Sequence, residues 1–325
     1  MTWLVTGGAG YIGSHVVRAL LADGARVAVL DDLSSGDKRR VPDGVPLEVA
    51  SVLDRDALGR VFAEHRIGGV VHIAAKKQVG ESVEKPLWYY EQNVGGLRVL
   101  LEAMVAAGVR RLVFSSSAAV YGSPDVPLIT EDTPCEPQSP YGETKLVGEW
   151  LIRDTAHAHG LSYANLRYFN VAGAASPELS DPTALNVVPM VFERIDAGLP
   201  PRIFGDDYDT PDGTAIRDYV HVSDIAGAHV AAARRLGHDE HAALTLNIGR
   251  GEGVSVRALV DRILQHAGSD LVPEVTPRRP GDGARSIASA DRIKAELGWS
   301  ARYDIADMVA SAWAGWRMRH DAFTH

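Results

Sequence analysis

The sequence predicts an α/β protein, a doubly wound parallel sheet followed by a smaller α/β domain. Three observations carry this. Over the first 115 residues, short apolar and often β-branched segments alternate with longer ones whose apolar residues fall at three- and four-residue steps. Gly24 and Gly108 stand where helix C-caps are expected. A glycine-rich turn, Thr6-Gly7-Gly8-Ala9-Gly10-Tyr11-Ile12-Gly13, separates the first strand from the first helix. Alternating strands and helices imply parallel strands covered on both faces. In this Rossmann arrangement, ligands bind beyond the carboxyl ends of the strands.

Strands are expected over residues 2–6, 26–30, 46–50, 69–72 and 111–115, and helices over 13–23, 54–65 and 86–107. A long helix over 141–159 and a strand over 162–167 follow. After about residue 170 Gly and Pro become frequent, and 177–183 and 205–213 read as loops. Helices return at 187–197, 223–236, 256–267 and 305–317. The expected division is a dinucleotide-binding domain over 1–170, rejoined by later segments at about 215–235, and a mainly substrate-binding domain over 171–317. Several later strands are expected to rejoin the first sheet. The tail, 318–325, is expected to fray over its last five residues.

Composition narrows the function. The 325 residues are 46% hydrophobic and 23% charged, with a net charge of −9. No basic field exists to attract nucleic acid or an anionic membrane. An anionic substrate therefore needs locally placed arginines or helix N-termini. The one cysteine, Cys135, excludes a disulfide framework or thiolate metal site within the chain. The twelve histidines show no ligand spacing on a predicted helix, so no metal is expected. The start, Met1-Thr2-Trp3-Leu4-Val5, lacks a signal peptide's basic start and long apolar core. No apolar run approaches the roughly 20 residues that cross a membrane. A soluble, cytoplasmic protein is expected.

Gly7, Gly10 and Gly13 allow a tight turn, close approach of the backbone to a pyrophosphate, and close helix–strand packing. The helix N-terminus then presents unpaired N–H groups to the phosphates. Asp31 and Asp32 follow the second strand, where a carboxylate accepts hydrogen bonds from ribose hydroxyls and repels a 2′-phosphate. The combination predicts NAD rather than NADP. A tight turn with solvated aspartates is the plain structural alternative, and the flanking strand and helix speak against it.

Tyr141 and Lys145, four residues apart at a helix start after Pro140, share one face. The lysine charge is expected to lower the tyrosine pKa toward the working pH. A phenol so poised takes the proton of a sugar hydroxyl as hydride leaves the carbon. Ser117 ends the fifth strand and can bridge phenol and substrate. A Tyr-x-x-x-Lys pair by itself is more often a surface helix pair; the dinucleotide fold and strand-end serine make it a catalytic trio.

With these residues placed, the chain resembles the extended short-chain dehydrogenase/reductase family, and within it the UDP-hexose 4-epimerases, to about residue 317. The resemblance rests on TGGAGYIGSH (6–15), KQVGESVEKPLWYY (77–90), SSSAAVYG (115–122), SPYGETK (139–145), LRYFNVAGA (166–174), IFGDDYDTPDGTAIRDYVHVSD (203–224) and RRPGD (278–282). It implies tightly bound NAD and reversible inversion at C4 of UDP-glucose and UDP-galactose through a 4-keto sugar. It implies cofactor contacts from Gly7, Gly10, Tyr11, Ile12, Gly13, Asp31, Asp32, Leu33, Ser34, Ala74, Ala75, Lys77, Asn93, Tyr141, Lys145 and Phe169. It implies UDP-sugar contacts from Ser117, Asn170, Asn186, Val187, Arg202, Ile203, Phe204, Arg217, Arg279, Asp282 and Ser286, with Tyr141 as base and acid assisted by Ser117 and Lys145. Forked Arg217 and Arg279 suit diphosphate oxygens, and Asp282 suits a ribose. A homodimer through residues 86–107 and 141–159 is also implied.

Three departures stand out. Ala119 replaces the family's usual Thr, removing a hydroxyl near the sugar. Ser51-Val52 replaces the usual acidic residue near the adenine, which is expected to weaken cofactor retention. Ser286 takes the place of a bulky tyrosine near the sugar, which leaves room for an N-acetyl group. Rival readings are a 4-epimerase for UDP-uronates or UDP-pentoses, and an NAD-binding sensor without turnover. A 4,6-dehydratase or decarboxylase needs a carboxylate where Ala118 and Ala119 stand.

Overall fold

A computed structural model describes residues 1–183, 186–279 and 281–321. In chain order the elements are β1 (Thr2–Thr6), α1 (Tyr11–Ala22), β2 (Arg26–Asp31), β3 (Leu47–Val49), α2 (Arg55–His65), β4 (Ile67–His72), α3 (Val79–Glu84), α4 (Pro86–Tyr89), α5 (Gly96–Ala107) and β5 (Arg111–Ser117). Then come α6 (Pro140–His159), β6 (Ser162–Tyr168), β7 (Asn170–Ala172), α7 (Val187–Asp196), β8 (Arg202–Phe204), β9 (Ile216–His221) and α8 (Val222–His238). The last are β10 (Ala243–Ile248), β11 (Gly253–Ser255), α9 (Val256–Ala267), β12 (Glu274–Thr276), β13 (Arg285–Ser286), α10 (Asp291–Leu297) and α11 (Ile305–Asp321).

The doubly wound sheet is present, with seven parallel strands in the order β10-β6-β5-β4-β1-β2-β3. Its central strands are apolar on both sides because each face is covered. Val5, Val29, Val71 and Val113 pack with Val16, Val17 and Leu20 of α1 and Ile225 and Ala232 of α8. On the other face Leu4, Leu30, Val70, Leu112 and Phe114 meet Leu58 and Phe62 of α2, Leu97 and Leu100 of α5, and Ile152 of α6.

Of the later strands, β10 rejoins this sheet beside β6, while β9 does not. Instead β7, β9, β11 and β13 form a second sheet, and β8 pairs with β12 in a third. The segment 215–235 is thus split: its helix α8 packs on the first sheet, and its strand β9 belongs to the substrate side. The C-terminal core joins Val191 and Phe192 of α7, Leu259 and Ile263 of α9, and Met308 and Val309 of α11.

The helix expected over 86–107 is broken. Pro86–Tyr89 is one α-turn, Tyr90–Gly95 is π-helical, and α5 starts only at Gly96. Within this π-helical turn the Asn93 side chain is turned inward and holds the backbone of Lys76. The helix expected to end at residue 317 continues to Asp321. Fraying beyond that falls, from residue 322 on, outside the described residues. Among the described residues no helix is long and apolar enough to cross a membrane.

Candidate active site

A cleft of about 550 Å³ runs along the carboxyl ends of β1, β2, β4, β5 and β6 and continues under the second domain. The glycine turn forms its floor. Gly7 has φ +72°, and a side chain there would meet the Ala74 amide at 2.7 Å; one at Gly13 would lie 2.0 Å from the Gly7 carbonyl. Only bare backbone fits in this cradle. Gly7, Gly10, Tyr11, Ile12, Gly13, Asp31, Asp32, Ser34, Ala74, Ala75, Lys77 and Phe169 all line the cleft, as expected from the sequence.

At its β2 edge the Asp31 carboxylate accepts from the Ala9 and Leu33 amides, each at 2.9 Å. Burial raises its pKa against these donors. Leu33 takes φ 56°, a strained conformation for a branched residue, and its amide rather than its side chain serves the site. Asp32 accepts from the amide and hydroxyl of Ser34. Lys76, which the sequence reading passed over for Lys77, donates to the Ser34 hydroxyl at 2.8 Å and lies 5.3 Å from the Trp88 ring. Asn93 does not line the cleft. Its side chain accepts from the Lys76 amide at 2.8 Å and donates to the Lys76 carbonyl and Thr144 hydroxyl, so it shapes the cofactor loop from behind.

Midway along the cleft, Ser117, Tyr141 and Lys145 converge. Ser139 caps α6, accepting from the Gly142 amide, and Pro140 occupies its first turn, so Tyr141 projects from the helix start. Lys145 donates to the Ser115 carbonyl at 2.8 Å, which ties helix to strand. Burial draws the Lys145 pKa down to about 8. The expected net lowering of the Tyr141 pKa toward the working pH does not hold in the assembled cleft. Burial raises it, and the counteracting group is the Ser117 hydroxyl. The lysine charge does not offset burial: the ammonium lies 6.0 Å from the ring centroid, with its hydrogen bond directed to the strand.

The far end belongs to the second domain. Asn170, Asn186, Arg217, Asp282 and Ser286 line it, and Arg217 faces Asp282 at 3.5 Å. Asn186 donates to Asp181 at 2.7 Å, and Tyr11 reaches the Gly173 carbonyl at 2.5 Å. The other expected substrate contacts stand outside the cleft. Ile203 is wholly buried in the C-terminal core and has only backbone to offer. Arg202 pairs with Glu274 at 2.6 Å. The Arg279 guanidinium lies 3.8 Å from the Phe204 ring centroid, so the two shield one another. Val187 opens α7 just behind Asn186. Ser51 and Val52 line the cofactor end, and no carboxylate occupies that position. Arg285 and Gln138 also line the cleft, with no motif in the sequence to mark them.

This geometry meets its counterpart among known proteins. Residues 3–249 match the model of the NAD dependent epimerase/dehydratase family. The chain belongs to that family. It is 44% identical over 317 residues to a UDP-glucose 4-epimerase of Azospirillum brasilense, covering 96% of this chain and 91% of the relative. The solved UDP-glucose 4-epimerase of Stenotrophomonas maltophila, with bound NAD and formylated UDP-arabinopyranose, superposes with a TM-score of 0.93 at 42% identity, covering 99% of each chain. That of Bifidobacterium longum, in complex with NAD+ and UDP, gives 0.91 at 38% identity, again over 99% of each.

Proposed function

We propose that the chain interconverts UDP-glucose and UDP-galactose by inverting C4, with NAD bound throughout. The observation that carries this is convergence. Tyr141, Ser117 and Lys145 sit in one cleft between a glycine cradle shaped for a pyrophosphate and a distal wall holding Arg217 and Asp282. The cradle admits no side chain, and the Asp31 carboxylate lines the cleft at the end of β2, where it suits a ribose, so these residues fit NAD. When bound, NAD supplies reversible hydride transfer at the sugar carbon.

The protein supplies orientation and proton transfer. Tyr141 takes the proton of the sugar 4-hydroxyl as C4 is oxidised, and Ser117 hydrogen-bonds that oxygen. Lys145 provides the nearby positive charge that favours tyrosinate. The 4-keto sugar turns about its diphosphate link while Arg217 and Asn186 retain the UDP. Tyr141 then returns its proton to the oxygen on the opposite configuration, so the cycle closes without net redox change.

Ser286 adds a finer reading. It lines the cleft beside Arg217, its partner across the β9–β13 pairing, and its small side chain leaves room for an N-acetyl group. UDP-N-acetylhexosamines are therefore further substrates. We also propose a homodimer paired through residues 86–107 and 141–159, where Leu87 is 85% and Trp150 48% exposed.

Purified protein given UDP-galactose without reductant should produce UDP-glucose up to an equilibrium mixture, with UDP-N-acetylglucosamine and UDP-glucuronate run beside it to rank the sugars. No conversion of any of them with added NAD+ would overturn the reading.

A further inference from the structure

Behind the catalytic trio lies a charge pair that the mechanism above does not use. Glu149 and Arg167 are both buried. Their placement follows from two regularities. Tyr141, Lys145 and Glu149 are spaced at four-residue steps and so form one stripe of α6. The β5–β6 register sets Ser116 opposite Arg167, so both side chains leave the sheet on the same face, toward that stripe.

Every oxygen of the carboxylate is occupied. Glu149 Oε1 accepts from the Ser116 hydroxyl at 2.5 Å and from Arg167 Nε at 2.8 Å, and Oε2 accepts from Arg167 Nη2 at 2.5 Å. Arg167 Nη1 donates to the Tyr121 hydroxyl at 2.8 Å. Tyr121 in turn donates to Asn247, which donates to the Ile129 carbonyl. Ser116 immediately precedes Ser117, and Tyr121 ends the 3₁₀ turn that follows it. The pair therefore grips the catalytic serine's segment at both ends.

We propose that Glu149, locked in place by Arg167, is the positioning residue of the catalytic trio: it fixes the segment that carries Ser117 and sets a carboxylate one helical turn from Lys145. A buried ion pair contributes little to stability by itself, whereas charge placed one helical turn from a buried lysine acts directly on its protonation. Burial lowers the Lys145 pKa, and Glu149 works against that. The surrounding titratable and charged groups are Tyr141 on α6, Tyr163, Tyr168 and Arg167 on β6, His72 on β4, Tyr121 and Cys135 in the segment after β5 and, through Ser115, His229 on α8. Burial holds both histidines neutral, at about 3 and about 4.

The proposal rests on the epimerase reading, and wild-type turnover of UDP-galactose in the same assay tests that reading by itself. Glu149→Gln keeps the side chain's shape and removes its charge, leaving Arg167 unpaired. The expected result is a fall in kcat of about ten-fold or more at neutral pH with KM nearly unchanged, and an alkaline limb of the kcat profile displaced about one unit to lower pH. Arg167→Lys keeps the charge at β6 and loses the bridge to Tyr121; it should lower kcat and leave the limb where it is. A wild type that turns over, beside a Glu149→Gln variant with an unmoved limb and only a lower melting temperature, would overturn the proposal. So would an Arg167→Lys variant with wild-type kcat.

Discussion

Lys145 lies 6.0 Å from the centre of the Tyr141 ring and spends its nearest hydrogen bond on the Ser115 carbonyl of β5. The lysine thus joins the helix that carries the base to the strand that carries Ser117. The trio is a product of one helix–strand contact.

Removing the phenol oxygen while keeping the ring isolates the proton transfer. Tyr141→Phe should lower kcat by about 10²- to 10⁴-fold, with KM for UDP-galactose changed little, because general acid–base catalysis contributes on that scale. Steady-state kinetics on the NAD-loaded protein checks this. A variant with undiminished turnover would assign Tyr141 a binding role only.

Lys145→Met removes the charge near the base. Burial already raises the Tyr141 pKa, and the loss of a nearby cation raises it further. Activity should fall at neutral pH and recover in part as pH rises. A pH profile parallel to the wild type would show that the ammonium has no effect on the phenol.

How much of this was legible beforehand depended on how local the cause is. The glycine turn, Asp31 and the Tyr141/Lys145 spacing are set by a few consecutive residues, and the fold places them as the sequence suggests. The direction of the Tyr141 pKa shift was not legible, because burial is a property of the assembled cleft. In the π-turn at Tyr90–Gly95, Asn93 meets a loop 17 residues away. The strands of the second domain are two or three residues long apart from β9, too short for an alternating pattern to declare them. Ile203 falls in a motif segment and looks like a contact, yet strand pairing turns it into the core. No motif in the sequence marks Glu149; only the β5–β6 register shows what it faces.

Stability should respond to acid through four buried histidines. Burial lowers His15, His221 and His229 to about 4 and His72 to about 3. Below about pH 6.5 the unfolded chain protonates these residues while the folded chain does not. The unfolded state then binds more protons, so stability falls as pH drops toward 4, by about 1.4 kcal/mol per histidine for each pH unit. Asp218, raised to about 6 by burial, and Asp31 and Asp224, which burial also raises, oppose this over part of the window, but the four histidines outnumber them. Melting temperatures between pH 7 and 4.5 test the sign; a flat or rising curve would contradict it.

Filling the space at β13 separates the sugar classes. Ser286→Tyr should reduce turnover of UDP-N-acetylglucosamine at least about ten-fold while sparing UDP-galactose, since steric exclusion of one substituent discriminates on this scale. Equal effects on both sugars would remove Ser286 from the selectivity account.

A charge in the exposed apolar face should dissociate the dimer. Leu87→Glu, at an exposed position of the 86–107 segment, is expected to shift sedimentation from dimer to monomer without a loss of secondary structure. A wild type that sediments as a monomer would refute the pairing outright.

The central claim is that one cleft oxidises C4 and reduces it again without release. UDP-galactose deuterated at C4 tests it most directly. In ordinary water, with catalytic amounts of the protein and no added reductant, the UDP-glucose formed should keep its deuterium at C4. Label lost to solvent, or no UDP-glucose at all, would contradict the account.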